Sequence, residues 1–338
     1  MWRGKAAMTD AELQILKNKI LKGYRITKEE ALQLENTDLR ALCRAADEIR
    51  RSASGRDFDM CAVISVRGGR CSENCSFCPQ ASCASSEIRT FPLLSSEPVQ
   101  KMAVQRDRQG VRHFGLVSSG RKMDKAGIAH ICQVIREVRE KTEIHLCASL
   151  GLLDREDLHA LKDAGVERIH NNLETSERFF PQLCTTHTYE DKKKVIRMAH
   201  QEGLEVCSGG IIGAGETFAD RVDLALAERE LGTESVPVNM LHPVKGTPLE
   251  DQKRLSPDEV RRTIAVFRFI LPRAWIRLAA GRDFLPDEGR DCFCSGSNAS
   301  ITGDMLNVRG ISVEEDIRLI HELLGQQDSA AGWRSGEM

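Results

Sequence analysis

No excess of either charge marks this chain: 48 lysines and arginines stand against 50 aspartates and glutamates, a formal net charge of -2. A field that weak recruits neither nucleic acid nor an anionic membrane, so neither is expected as a partner. Long hydrophobic runs are missing too. No stretch is long and apolar enough to span a bilayer, and the opening MWRGKAAMTDAEL lacks the apolar segment of a secretory signal. Low-complexity segments are also absent. These absences point to a cytoplasmic chain that does small-molecule chemistry, and its 338 residues suffice for one large α/β barrel. In that compartment the twelve cysteines read as reduced thiols. Thiols gathered there in a motif serve as metal ligands or catalysts more often than as bridges.

Eight short apolar runs alternate with helix-patterned stretches: residues 60 to 66, 113 to 118, 143 to 150, 168 to 174, 205 to 212, 235 to 241, 275 to 280 and, least strand-like, 292 to 296. The alternation predicts an α/β fold of the (β/α)8 TIM-barrel type, with a doubly wound open sheet as the rival arrangement. Residues 9 to 54 have helical spacing, with threonines set before acidic residues in the manner of caps. The expected division is an N-terminal helical extension over 1–55, the barrel over 56–325 and a loose tail over 326–338.

In a barrel, alternate strand residues face the lumen, where Val, Ile and Leu ordinarily fill the space. One parity set here is polar instead: His145, Cys147 and Ser149, then His170, Asn172 and Glu174, then Cys207, Asn239 and Arg277 on successive runs. Each unsatisfied polar group in a dry core costs about 1–3 kcal/mol. A lumen occupied by ligands that use these groups is therefore expected. Were the opposite parity the inner one, the same groups would be buried under the helices and would still need partners.

One short stretch lacks something specific. CSENCSFCPQ, residues 71 to 80, gathers Cys71, Cys75 and Cys78 with neither a fourth cysteine nor a neighbouring histidine. A structural zinc takes four protein ligands. A 4Fe-4S cluster on three thiolates leaves one iron open to a ligand that is not protein, and thiolates are the natural iron-sulfur donors. The spacing suits that cluster; a zinc knuckle completed from afar is the alternative.

By Cys71-x3-Cys75-x2-Cys78, with Phe77 just before the last cysteine, the chain is identified as a member of the radical S-adenosylmethionine (SAM) superfamily. Further stretches resemble the biotin synthase family, in order: CPQAS (78 to 82), HNNLETS (170 to 176), VCSGGIIGAGET (206 to 217), SVPVNML (235 to 241), GTPLEDQ (246 to 252), RTIAVFRFILP (262 to 272), IRLAAGRD (276 to 283) and CFCSGSNAS (292 to 300). The resemblance implies a sulfurtransferase that inserts sulfur into dethiobiotin, using SAM cleaved at the open iron of the 4Fe-4S cluster. It puts Phe77, Ser118, Ser119, Asn172, Glu174 and Lys192 along SAM, and Asn172 and Asn239 at the substrate. Glu174 is longer than the family's usual Asp, and Lys192 stands where the family has an Arg. The implied partners are dethiobiotin, SAM, a low-potential electron donor such as flavodoxin or ferredoxin, and a second copy of the chain as a homodimer. Other radical SAM enzymes of similar architecture, of the methylornithine synthase or hydrogenase-cofactor maturase kind, are the alternative.

The same resemblance implies an auxiliary iron-sulfur cluster as sulfur source, and there the chain departs from the common pattern. Cys147, Cys207 and Arg277 match three of its four usual ligands, but the second-strand cysteine aligns with Gly115. Cys294 stands where the family usually shows Met, so it is expected to enter the lumen as the replacement thiol, with Cys292 as the competing candidate. A moved ligand points to a 4Fe-type centre with an extra sulfide, as in the anaerobe-type class, a 2Fe-2S cluster being the alternative. Cys43, Cys61, Cys83, Cys132 and Cys184 read as ordinary thiols.

Overall fold

The computed structural model describes residues 7–304 and 310–326, so residues 327–338 of the expected tail lie outside the described residues. Nine strand segments are all parallel: β1 (Asp59–Arg67), β2 (His113–Ser118), β3 (His145–Ser149), β4 (Arg168–His170), β5 (Glu205–Cys207), β6 (Gly210–Ile212), β7 (Ser235–Met240), β8 (Trp275–Leu278) and β9 (Ala299–Ile301). β5 and β6 are two halves of one barrel strand. β5 pairs with β4 and reaches β7 at Cys207 and Ser235, while β6 continues along β7 and closes a barrel of eight strands. The break falls at residues 208 and 209 because the chain there runs against β7: a Cβ on Gly209 would stand 2.1 Å from the Pro237 carbonyl oxygen. Only glycine permits that approach.

Helices follow the strands and cover the outside of the barrel, as parallel sheets require. Their starts are written locally. Asp154, Thr188, Thr217 and Ser256 each accept from a backbone N–H three residues on, where an acidic side chain reaches back to the cap. Ahead of the barrel, helices Asp10–Leu21, Lys28–Gln33 and Leu39–Ser54 begin at Thr9, Thr27 and Asp38 caps. Leu42, Ala45, Ala46 and Ile49 of the third pack toward helix Pro257–Ile270 and join the same continuous apolar core as the barrel. No helix among the described residues is long and apolar enough to cross a membrane.

The eighth strand is not where the sequence reading put it. Residues 292 to 296 lie at the end of a helical turn, Arg290–Phe293, entered at Gly289 (φ 87°) and left at Gly296 (φ 112°), and the strand follows at Ala299–Ile301. Cys292 and Phe293 are apolar enough to read as strand, but they anchor the turn in the core. Asn298 then aligns the strand, its side-chain oxygen accepting from the Ile276 N–H and from Arg268.

Candidate active site

The lumen opens at the carboxyl ends of the strands into a cavity of about 350 Å³. Side chains of the polar parity line it: Cys147 and Ser149 on β3, His170 on β4 with Asn172 and Glu174 just beyond, Cys207 on β5, Asn239 on β7 and Arg277 on β8. His145 is the exception. It sits low on β3, its ring stacked on His113 with centroids 5.1 Å apart and its Nδ1 bonded to Glu167.

The mouth is formed by the loop after β1, which carries Cys71, Cys75 and Cys78. Backbone hydrogen bonds curl it inward, from Cys71 N–H to Gln80 O (2.7 Å), Cys78 N–H to Cys75 O (3.0 Å) and Ser82 N–H to Glu73 O (2.8 Å). All three thiols are half-buried. Glu73 locks the loop against residues 184 to 188, accepting from His187 Nδ1 (2.6 Å) and Thr186 Oγ1 (2.8 Å). Cys184 bonds the same His187 and approaches Cys75, so Cys75, Cys184 and His187 bring their ligand atoms within 4.8 Å of one another. Phe77 packs against the apolar cluster of Leu183, Ile211, Ala214 and Leu241 and faces the cavity beside Cys78.

Inside the mouth two amides are held with bonding capacity to spare. Asn239 Nδ2 donates to Gly210 O (3.2 Å) and its Oδ1 accepts from Ala280 N–H (3.3 Å). Asn172 Oδ1 accepts from Gly209 N–H (3.2 Å), and its Nδ2 donates to Glu174 (3.4 Å). A primary amide has two donors and two lone pairs, so each keeps one of both kinds for a ligand. Glu174 has φ +72°, a left-handed conformation that side chains other than glycine rarely adopt. Its N–H and carbonyl bond Gly209 and Ile211, which fixes the backbone there and turns the side chain into the cavity. Burial pushes its carboxyl up, against the opposing pull of Lys192. Lys192 itself donates to Asn171 (3.4 Å) behind the lining. Ser118 and Ser119 are not lining residues: Ser118 donates to Ser119 O, and Ser119 O also accepts from Arg67 (2.8 Å).

The floor of the cavity holds three thiols, and one differs from the expectation. Cys61 on β1 and Cys147 on β3 line the cavity on either side of β2, with Cys207 beside them. Gly115 on the intervening strand makes this possible, for it lies in register with Val63 and Cys147 and offers no side chain between the thiols. Cys294 and Cys292 do not reach the lumen. Cys294 is an exposed C-cap residue on the outside of the barrel, with Asp47, Arg50 and Arg51 of the N-terminal helices nearby, and Cys292 is buried in the layer around Cys43 and Arg261. The physical reason is the helical turn, which replaces the strand alternation that would have aimed one of them inward.

Charged groups surround the thiols. Arg277 donates to the Asp59 carboxylate, to Asp59 O (3.1 Å) and to Ser300 O (2.9 Å). Burial pushes the Asp59 carboxyl up, but Arg277, the His113 N–H at 2.8 Å and Arg168 outweigh it and hold the group ionised, well below the usual range. Burial likewise raises the Cys207 thiol, and the neighbouring His170 ring with Arg277 and Arg168 brings it down to about 7.

Comparison with known proteins identifies the family. The Radical SAM superfamily model matches residues 65–227, and the Biotin and Thiamin Synthesis associated domain model matches 237–324. A biotin synthase of Brachyspira hyodysenteriae is 46% identical over 93% of this chain and 94% of its own length. One from Clostridium botulinum strain Hall is 48% identical, covering 91% and 96%, and biotin synthase 2 of Corynebacterium diphtheriae is 45% identical, covering 92% and 94%. The chain belongs to the biotin synthase family. Among solved structures it is similar to methylornithine synthase, with a TM-score of 0.79 at 20% identity over 92% of this chain and 96% of that one. It also resembles a maturase of the FeFe-hydrogenase, at 0.78 and 18%, over 93% and 74%. Those likenesses show the barrel fold, while the biotin synthase relatives carry the family.

Among the lining residues that the sequence reading did not place in the site, Cys61 and Arg168 bear on the floor. Cys61 has the same strand parity as Val63, and both line the cavity; that parity was the signal available for it. Arg168 has the parity of His170 and Asn172 but opens its run, where a basic residue reads as a strand end at the surface. It is only 4% exposed.

Proposed function

We propose that the chain inserts sulfur between two unactivated carbons of dethiobiotin to form biotin, with Cys71, Cys75 and Cys78 holding a 4Fe-4S cluster and Cys61, Cys147 and Cys207 holding the auxiliary one. Cys71, Cys75 and Cys78 would hold a cluster that supplies the electron for cleaving SAM into methionine and a deoxyadenosyl radical, and Cys61, Cys147 and Cys207 would hold one that supplies sulfide. The donor type supports both assignments, since each set is three thiols and thiolates are the natural iron-sulfur donors; Cys75 also has Cys184 and His187 within 4.8 Å, which keeps a zinc site there as the alternative. For the auxiliary centre the reading is a 4Fe-type cluster with an added sulfide, a 2Fe-2S cluster on the same three thiols being the alternative. Arg277 borders that centre with its guanidinium tied to Asp59.

The remaining residues bind, orient and exclude water. Glu174 and Asn172 present a carboxylate and an amide to the SAM ribose, and Phe77 closes the apolar wall over it. Lys192 supplies positive charge behind them for the SAM carboxylate, while Ser118 and Ser119, which do not line the cavity, take no part in this reading. Asn239 and Asn172 offer the mixed donors and acceptors that a cyclic urea matches. The substrate carbons would then lie between radical and sulfur, where positioning does the catalytic work. Reductive cleavage consumes one electron, so a low-potential donor of the flavodoxin or ferredoxin kind belongs to the reading, as does a homodimer in the cytoplasm.

The observation that carries this reading is the order along the lumen: cluster loop at the mouth, amides below it, thiols at the floor. Anaerobic turnover of the iron-loaded protein with SAM, a reductant and dethiobiotin tests it. Biotin and deoxyadenosine are the expected products. Deoxyadenosine formed equally with and without dethiobiotin, and no biotin, would assign the cavity to another substrate.

A further inference from the structure

The floor contains a second arginine that the proposed reaction has not used. Arg168 opens β4, and the strand register sets it beside Cys147 on one side and Glu205 on the other, while His170 stands beside Cys207. Its guanidinium is anchored from behind: Nε and Nη2 donate to Glu205 Oε2 at 3.0 and 2.6 Å. Nη1 stands 3.7 Å from Asp59 Oδ2, an ion-pair distance too long for a hydrogen bond. The side chain is nine-tenths buried or more and lines the cavity with Cys61, Cys147 and Cys207.

Charge makes the arrangement informative. Asp59 is fully buried and directly bonded to Arg277, so those two charges offset each other. Glu205, the hydrogen-bonded partner of Arg168, is 52% exposed, and water screens its carboxylate. What remains facing the thiols is the guanidinium of Arg168, buried beside Cys147 with its Nη1 at ion-pair but not hydrogen-bond distance from Asp59.

We propose that Arg168 is an anion-holding residue of the auxiliary site and that its ligand is inorganic sulfide in the hydrosulfide form, the sulfur that the centre carries and must regain after delivery. The proposal rests on the reading of Cys61, Cys147 and Cys207 as cluster ligands. An arginine suits the task because it stays charged and offers several N–H donors in a fixed plane. Held by Glu205, it loses little freedom when the anion arrives.

The test uses full-length protein, reconstituted anaerobically, with Arg168→Met, Arg168→Lys and Glu205→Gln beside the parent. Sodium sulfide is titrated into protein whose auxiliary site has been depleted by turnover, and iron, acid-labile sulfide and auxiliary absorbance are followed. Loss of one charge-assisted contact should raise the sulfide needed for half-restoration about tenfold or more in Arg168→Met. Arg168→Lys should recover most of that loss, and Glu205→Gln should stay near the parent because the cation remains. An unchanged sulfide requirement in Arg168→Met, or an equal shift in Glu205→Gln, would overturn the proposal and leave Arg168 a structural partner of Glu205. If Arg168→Met fails to fold, the comparison of Arg168→Lys with Glu205→Gln decides: a greater shift in Glu205→Gln would also overturn it. Failure of the underlying reading looks different, since Cys61→Ala would then keep the parent's full iron content.

Discussion

At Glu174 a strained backbone and a buried carboxyl coincide. A non-glycine residue in the left-handed region costs about 1 kcal/mol or more, and burial adds a further penalty for charge. Glu174→Gly should therefore raise the melting temperature of the protein while weakening SAM binding and reductive cleavage; a thermal melt and a SAM titration on the same preparation check both halves. A variant that lost stability would show that the residue supports the fold, not the ligand. Cys61 and Cys294 make the complementary pair. Cys61→Ala should bring iron and sulfide per chain down toward the content of the SAM cluster alone, with some SAM cleavage surviving and biotin lost. Cys294→Met, on the outer surface, should leave iron and activity at the parent level. Iron counts that fell for Cys294→Met and not for Cys61→Ala would reverse the assignment.

Among the elements, the loop after β1 depends on one buried carboxylate. Glu73 satisfies His187 and Thr186 at once and so ties the cluster loop to residues 184 to 188. Removing it takes the carboxylate acceptor from both and leaves only the weaker contacts to Cys184 and Asn74, at a cost of about 1–3 kcal/mol, spent locally. Glu73→Ala should accordingly lose SAM-cluster iron to a chelator faster than the parent, with auxiliary iron lost at the parent's rate; equal rates at both sites would contradict a local clamp. Helix Phe218–Leu231 carries a different kind of buried acid. Burial pushes the Glu228 carboxyl up to about 8, although Ser208 (2.8 Å) and Thr233 (2.6 Å) donate to it. The folded chain thus holds this proton more tightly than the unfolded chain, where the group titrates near about 4.3. Its contribution to stability is full below that pH and is lost as pH rises toward 8. Glu228→Gln should flatten this decline, so its melting temperature relative to the parent should rise from pH 5 to pH 8. A constant difference across that range would show that Glu228 does not titrate there.

For the whole molecule, the N-terminal helices and the barrel share one core. Leu42, Ala45, Ala46 and Ile49 are buried with Phe267 and Ile270 of helix Pro257–Ile270, and Ser54 Oγ accepts from Asn298 Nδ2 (3.1 Å), next to the closing strand. Deletion of residues 1–55 should expose that face and yield insoluble protein, or protein unable to retain either cluster, in an expression and iron assay. A soluble truncated barrel with normal iron content would make the extension a dispensable unit.

Much of this was legible in the residues themselves. The Cys71, Cys75 and Cys78 spacing is local, so its reading needed no tertiary structure, and lumen parity brought Cys147, Cys207, Asn172, Asn239 and Arg277 to one cavity because strand alternation is a property of short range. The third floor thiol was not legible that way. Whether Cys61 or Cys294 meets Cys147 depends on which strand lies beside Gly115 and on whether residues 292 to 296 extend or coil, and both are settled by packing among segments far apart in the chain. The charge on Arg168 is likewise plain from the sequence, yet its partners come from β1 and β5. Periodicity determined which way each side chain could face; only barrel closure decided which of them meet.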